Sequence, residues 1–165
     1  MAGKTIEVID TDAEGRMILV DALHYTVERF QPRAIVDLAT LTYSVIKALG
    51  HVFAGLLGND DALADRLIAA GKDTGERLWR LPLDPDYDEN LKSEIADIRQ
   101  CAPDEESADV VHAAQLLQRF VGDTPWAHLD IAGMEFLKKP RPTAPAGASG
   151  FGVRLLDRFV AGYEG

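Results

Sequence analysis

The sequence has a single cysteine, Cys101, so no internal disulfide can staple the fold. Basic residues are also scarce, with 17 lysines and arginines against 27 aspartates and glutamates and a formal net charge of −10. That sign is wrong for holding a phosphate backbone, which excludes nucleic acid as the expected partner. No stretch approaches the roughly 18 to 20 consecutive apolar residues that span a bilayer. The opening residues MAGKTIEVID lack the apolar core of a secretory signal, so the chain reads as soluble and cytoplasmic, with no membrane partner. The four histidines, His24, His51, His112 and His128, form neither an HExxH pattern nor a Cys/His zinc spacing. Chemistry here must rest mainly on carboxylates.

What is present suffices for a core. With 165 residues, 47% of them hydrophobic, the chain reads as one domain over residues 1–165. The β-branched run Thr5 to Asp10 predicts a strand, and Met17 to Phe30 places apolar residues at helical spacing until Gln31 and Pro32 stop it. Strands are expected at 34–39, 52–57, 78–81 and 126–132. Helical segments are expected at 44–49, 61–72, 109–121 and 153–163. Strands separated by helices imply an α/β fold, a mixed and largely parallel sheet sandwiched between helices. The Pro- and Gly-rich run 139–150 reads as a surface loop. Residues 84–109 carry ten acids and two bases, which reads as a solvated surface segment. Residues 138–158 carry five bases and one acid, and such opposite patches suit a contact between subunits.

The densest polar constellation is Asp10-Thr11-Asp12-Ala13-Glu14-Gly15-Arg16, at the junction of the first strand and first long helix. Ligands bind at the carboxyl ends of strands in α/β sheets. Asp12 and Glu14, two residues apart, are hard oxygen ligands suited to Mg²⁺, Mn²⁺ or Zn²⁺. Arg16 would face the same site, where its fixed donors can hold an anion or stabilise developing charge. The alternative is a helix-capping cluster, since acids in a first turn satisfy free amides and the helix dipole.

The run Lys4 to Leu23, KTIEVIDTDAEGRMILVDAL, closely resembles the signature of the leucyl aminopeptidase family, with its core NTDAEGR motif. Four further blocks follow in the family's order: 37–42 (DLATLT), 92–97 (KSEIAD), 126–133 (WAHLDIAG) and 148–156 (ASGFGVRLL). The resemblance implies a truncated leucyl aminopeptidase-like catalytic domain, its C-terminal portion. It further implies a reaction in which a metal-bridging hydroxide attacks the first peptide bond of a peptide, releasing N-terminal, leucine-type residues. Asp12 and Glu14 become metal ligands, Arg16 a catalytic residue that positions a bicarbonate or water, and Thr40 and Leu41 substrate-binding residues. Two divalent ions, manganese or zinc, and a cytoplasmic homohexamer are implied. The family's remaining ligands, one Lys and two Asp, and its second catalytic Lys precede the motif, where this sequence has only nine residues before Asp10. A partial metal site and impaired turnover are therefore expected, along with exposed apolar surface that favours a homo-oligomer. The alternative is a non-catalytic assembly or regulatory module that keeps the fold.

Several positions depart from the family pattern. Asp10 replaces an Asn, Tyr43 stands where a Gly is usual and brings a ring toward the substrate, and residues 101–109 lose glycines to acids. His128 reads as a partly buried structural histidine and Asp97 and Asp130 as hydrogen-bonded structural acids. Cys101 should keep a high pKa, and Trp79 and Trp126 read as core or interface residues.

Overall fold

The computed structural model describes residues 1–103 and 108–163. The acids Asp104, Glu105 and Glu106 of the altered 101–109 segment lie outside the described residues. The elements in order are β1 (Ile6–Glu7), a 3₁₀ turn (Thr11–Ala13), α1 (Glu14–Phe30), β2 (Ile35–Ala39), α2 (Ser44–Leu49) and β3 (Ala54–Gly58). Then come α3 (Asp61–Thr74), β4 (Leu78–Arg80), a 3₁₀ segment (Pro85–Leu91), β5 (Ile98–Arg99) and α4 (Asp109–Gln118). The chain closes with β6 (Trp126–Asp130), β7 (Phe136–Leu137), β8 (Gly147–Ala148) and α5 (Val153–Ala161).

Local chemistry explains the boundaries. The α1 helix stops where Gln31 turns left-handed at φ 45° and donates its N–H to the Val27 carbonyl, and Pro32 cannot resume it. Asp60 caps α3 by accepting the Leu63 N–H at 2.7 Å, and Gly75 ends it at φ 73°. The main sheet runs β2-β6-β3-β4. β2 lies parallel to β6 and β3 parallel to β4, while β3 and β6 are antiparallel, as expected for a mixed sheet. Its side chains alternate between two cores. Ile35, Leu57 and Trp126 pack with α1, α2 and α4, whereas Ala54, Leu56, Ala127 and Leu129 pack with α3 and α5. Helices therefore cover both faces.

Two expectations change, on the first strand and the acidic segment, and two others are refined. The first strand shrinks to Ile6–Glu7, because it pairs only with the two residues of β5, and Val8 and Ile9 are left exposed. The acidic segment is not merely a solvated surface: its Pro85–Leu91 turn packs on α4, and Leu91, Gln100 and Cys101 are buried. Trp126 is core, but Trp79 is 56% exposed, with an edge-to-face contact to Phe53. The basic run is partly used within the chain, since Arg154 pairs with Glu76 and Arg158 with Asp73.

One partly buried carboxylate ties β2 to β6. The Asp37 carboxylate accepts from Trp126 Nε1 and meets His128 Nδ1, each at 2.6 Å, and His128 is fully rather than partly buried. Unsatisfied buried donors cost about 1–3 kcal/mol each. Asp37→Ala is therefore expected to lower the unfolding free energy by about 2–4 kcal/mol, read from the urea midpoint. A shift below about half of that range would refute the assignment.

Candidate active site

The acidic turn is built from its first residue. Asp10 is extended, and its carboxylate accepts the Asp12 N–H at 2.9 Å, so the capping alternative holds for Asp10. Gln100, buried at the end of β5, clamps the turn from the other side. Its Nε2 donates to the Ala13 carbonyl at 2.8 Å and its Oε1 accepts the Asp10 N–H at 3.3 Å. Sequence reasoning passed over Gln100, since a polar residue after a short strand carries no distinguishing pattern. Asp12 and Glu14 stand exposed on the shaped turn.

Arg16 differs from them in burial. Two residues along a helix are about 200° apart around its axis, so an outward Glu14 sends Arg16 inward. Arg16 is 3% exposed. Its guanidinium donates to Asp109, at the start of α4, at 2.5 Å and to the Gln100 carbonyl at 3.4 Å. Arg16 is thus buried in an ion pair, whereas the two carboxylates are exposed.

The second stretch lies at the end of β2. Asp130, fully buried at the last residue of β6, accepts the N–H groups of Leu41 at 3.1 Å and Thr42 at 3.0 Å and the Thr42 hydroxyl at 2.7 Å. It also accepts the Ala132 N–H at 3.2 Å. Asp130 is thereby the hydrogen-bonded structural acid that was expected, as is Asp97, which accepts from the Thr5 N–H and hydroxyl. Thr40 is exposed and Leu41 half-buried. The Tyr43 ring, next along this loop, is 72% exposed, with the Lys47 ammonium 5.9 Å from its centroid. The two stretches meet, since a Cβ added to Gly15 would stand 3.3 Å from Leu41 Cδ1. Both lie by the carboxyl ends of the parallel strands β2 and β6, where α/β folds bind ligands.

As a metal site the arrangement is incomplete. Among the described residues no group of three His, Cys, Asp or Glu side chains is gathered so as to hold an ion. Asp12 and Glu14 are suitable hard ligands but supply only part of a shell, so the described residues by themselves do not fit a metal centre. Cys101 is no substitute nucleophile, because burial pushes its thiol pKa up.

Burial likewise raises the Asp130 pKa, opposed by its hydrogen bond from Thr42. A carboxyl with a raised folded-state pKa stabilises the fold fully below its unfolded pKa, and this contribution is lost as pH rises through the folded one. Urea unfolding of the wild type against Asp130→Asn should therefore shift in favour of the wild type as pH falls from neutrality toward the unfolded aspartate range. A gap that stays constant or widens with rising pH would contradict this. Separately, Asp109→Ala strands the buried Arg16 and should destabilise by about 2 kcal/mol, below the value for a fully buried pair, because the Asp109 side chain is 33% exposed. No loss on denaturant unfolding would show the pair to be idle.

Residues 1–157 match the family described as the cytosol aminopeptidase family, catalytic domain. A probable cytosol aminopeptidase of Ehrlichia ruminantium (strain Gardel) is 56% identical over 164 residues, 99% of this chain and 33% of the relative. Those of Brucella melitensis, 56% identical over 97% of this chain and 33% of the relative, and Caulobacter vibrioides, 54% over 100% and 34%, are similar. The chain spans about a third of the length of the curated relatives it matches. No helix among the described residues is long and apolar enough to cross a membrane. On the match over residues 1–157, and on the fold that carries its motifs, the chain belongs to the cytosol aminopeptidase family.

Proposed function

We propose that this chain forms one side of the active site of a metal-dependent aminopeptidase that releases N-terminal, leucine-type residues from peptides. The observation that carries the reading is the contact of Gly15, inside the acidic turn, with Leu41, inside the loop that Asp130 holds. It brings together the two stretches for which family membership suggests metal and substrate contacts.

In this reading Asp12 and Glu14 offer their exposed carboxylates to a centre of two divalent ions, manganese or zinc, whose other ligands lie outside the described residues. The Leu41 N–H is already committed to Asp130, so a peptide meets the Leu41 carbonyl and the exposed Thr40. Arg16 serves as an anion-holding catalytic residue only if its guanidinium exchanges Asp109 for that anion, because the pair now occupies it. The proposed setting is a cytoplasmic homo-oligomer acting on peptides. A second reading, a non-catalytic assembly or regulatory module, is favoured by the same Arg16–Asp109 pair and by the incomplete ligand set among the described residues.

The test is calorimetric titration of Mn²⁺ and Zn²⁺, with hydrolysis of leucine p-nitroanilide in the same samples. It compares the chain with Asp12→Ala/Glu14→Ala, each co-purified with the unmatched part of the Ehrlichia ruminantium relative. Ion binding and turnover that both fall at least tenfold in the double variant, with circular dichroism unchanged, are expected. Equal binding in the two proteins, or no turnover in either, would favour the non-catalytic module.

A further inference from the structure

One group of cations stands apart from the rest. Lys138, Lys139 and Arg141 are exposed, and none of them joins an ion pair among the described residues, whereas Arg154 and Arg158 of the same basic run do. The three line a cleft of about 280 Å³ with Phe136 and His51, and no acidic side chain lines it. The chain as a whole carries a net charge of −10. Against that background, unneutralised positive charge gathered in one concave place makes a local field that attracts anions.

The backbone beneath these cations is fixed. β7 and β8 pair Phe136 with Ala148 and Leu137 with Gly147 at the base of the loop, and Arg141 and Ala144 exchange backbone hydrogen bonds of 2.9 and 3.2 Å at its tip. The Arg141 guanidinium donates to the His51 carbonyl at 3.0 Å, and His51 Nδ1 lies 2.8 Å from the Gly133 carbonyl. A Cβ on Gly133, at φ 83°, would stand 3.1 Å from both His51 Nδ1 and Ile46 Cγ1, so glycine is what lets these segments sit so close. The cleft lies at the candidate site's end of the sheet. β3 runs antiparallel to β6 and pairs Gly55 with Asp130, so the turn that carries His51 is found where β2 and β6 finish. Between that turn and the Thr40–Leu41 loop runs α2, whose six residues span about 9 Å.

We propose that this loop is a carboxylate-binding subsite for the peptide substrate, in which Lys138, Lys139 and Arg141 hold a carboxylate of a peptide seated at Thr40 and Leu41. An extended peptide covers about 3.4 Å per residue, so the length of α2 corresponds to roughly three residues. The inference rests on the aminopeptidase reading, because that reading is what brings a peptide to Leu41. Carboxylates are the anions an unmodified peptide carries, at its C-terminus or on Asp and Glu side chains, and both sources present the same two oxygens to lysine and arginine donors. The Phe136 ring, 61% exposed, gives the cleft an apolar wall for the carbon chain beside the charge.

The experiment titrates three peptides into this chain at fixed ionic strength and follows the backbone amide resonances by nuclear magnetic resonance. They are Leu-Gly-Gly, with a free C-terminal carboxylate, its C-terminal amide, with none, and Leu-Gly-Glu amide, with a side-chain carboxylate only. At least one carboxylate peptide should bind fivefold or more tightly than Leu-Gly-Gly amide, with shifts centred on Gly133 and residues 137–141, and which of the two does so identifies the source. Lys138→Ala/Lys139→Ala leaves the Arg141 bond to His51 in place and should reduce the preference below twofold, with circular dichroism unaltered. Lys138→Arg/Lys139→Arg should retain it. Equal affinity for the three peptides, no binding of any, shifts elsewhere, or a preference that survives the alanine variant overturns the proposal. Leucine p-nitroanilide carries no carboxylate, so its hydrolysis by the chain co-purified with the unmatched part of the Ehrlichia ruminantium relative separates the two readings. Turnover without a carboxylate preference removes the subsite and keeps the peptidase, whereas the preference without turnover keeps the subsite and removes the peptidase.

Discussion

A buried carboxylate with four donors around it governs the candidate site. Asp130 is fully buried, a situation that burial alone would make unfavourable for its charge. It is tolerated because backbone amides of Leu41, Thr42 and Ala132 and the Thr42 hydroxyl converge on it. Those bonds tie the end of β6 to the loop after β2, and Thr42 in turn accepts the Val45 N–H at the start of α2. These bonds hold the loop at both ends, and its Leu41 side chain is presented to Gly15. Without Asp130, the acidic turn would lose the surface it packs against.

A second arrangement of this kind lies within the strands. Asp37 on β2 is satisfied by Trp126 and His128 on β6, so each of the two paired strands contributes one acid held from the other strand's side. The two acids act differently: Asp37 stitches the strands, and Asp130 shapes what emerges from them. On the opposite side of the turn, Gln100 performs the equivalent task for Asp10 and Ala13. The exposed carboxylates of Asp12 and Glu14 therefore stand on a frame that is fixed from both sides. The frame is complete within the chain, while the ligand set among the described residues is not.

Much of the sheet was legible because its strands are short apolar runs between turn signals. α2 matches its expected span, β2 matches to within one residue, and the helices covering the sheet match to within a few residues. The first strand was misjudged because TIEVID has strand-forming residues throughout, yet a strand extends only as far as its partner, and β5 offers two residues. The acidic stretch was misjudged because charge counts describe side chains on average. They do not show that Leu91 and Gln100 are turned inward between them. At the site, the motif was visible as a string of residue types, and the placement of Asp12 and Glu14 at a surface follows from it. The burial of Arg16 does not follow from the string, since it depends on a partner 93 residues away at the start of α4. Asp130 was recognised only as an acid in need of donors; which donors it has was settled by the tertiary fold.

The central claim is that Asp130 organises the substrate-side loop and, through Leu41, the acidic turn. Residue-resolved amide exchange in Asp130→Asn tests it most directly. The account predicts that protection falls at Leu41, Thr42 and Ala132 and that residues 11–16 are perturbed as well, while β3 and α3 keep their protection. Unchanged exchange at Leu41 and Thr42, or a uniform loss of protection across the whole sheet, would contradict it.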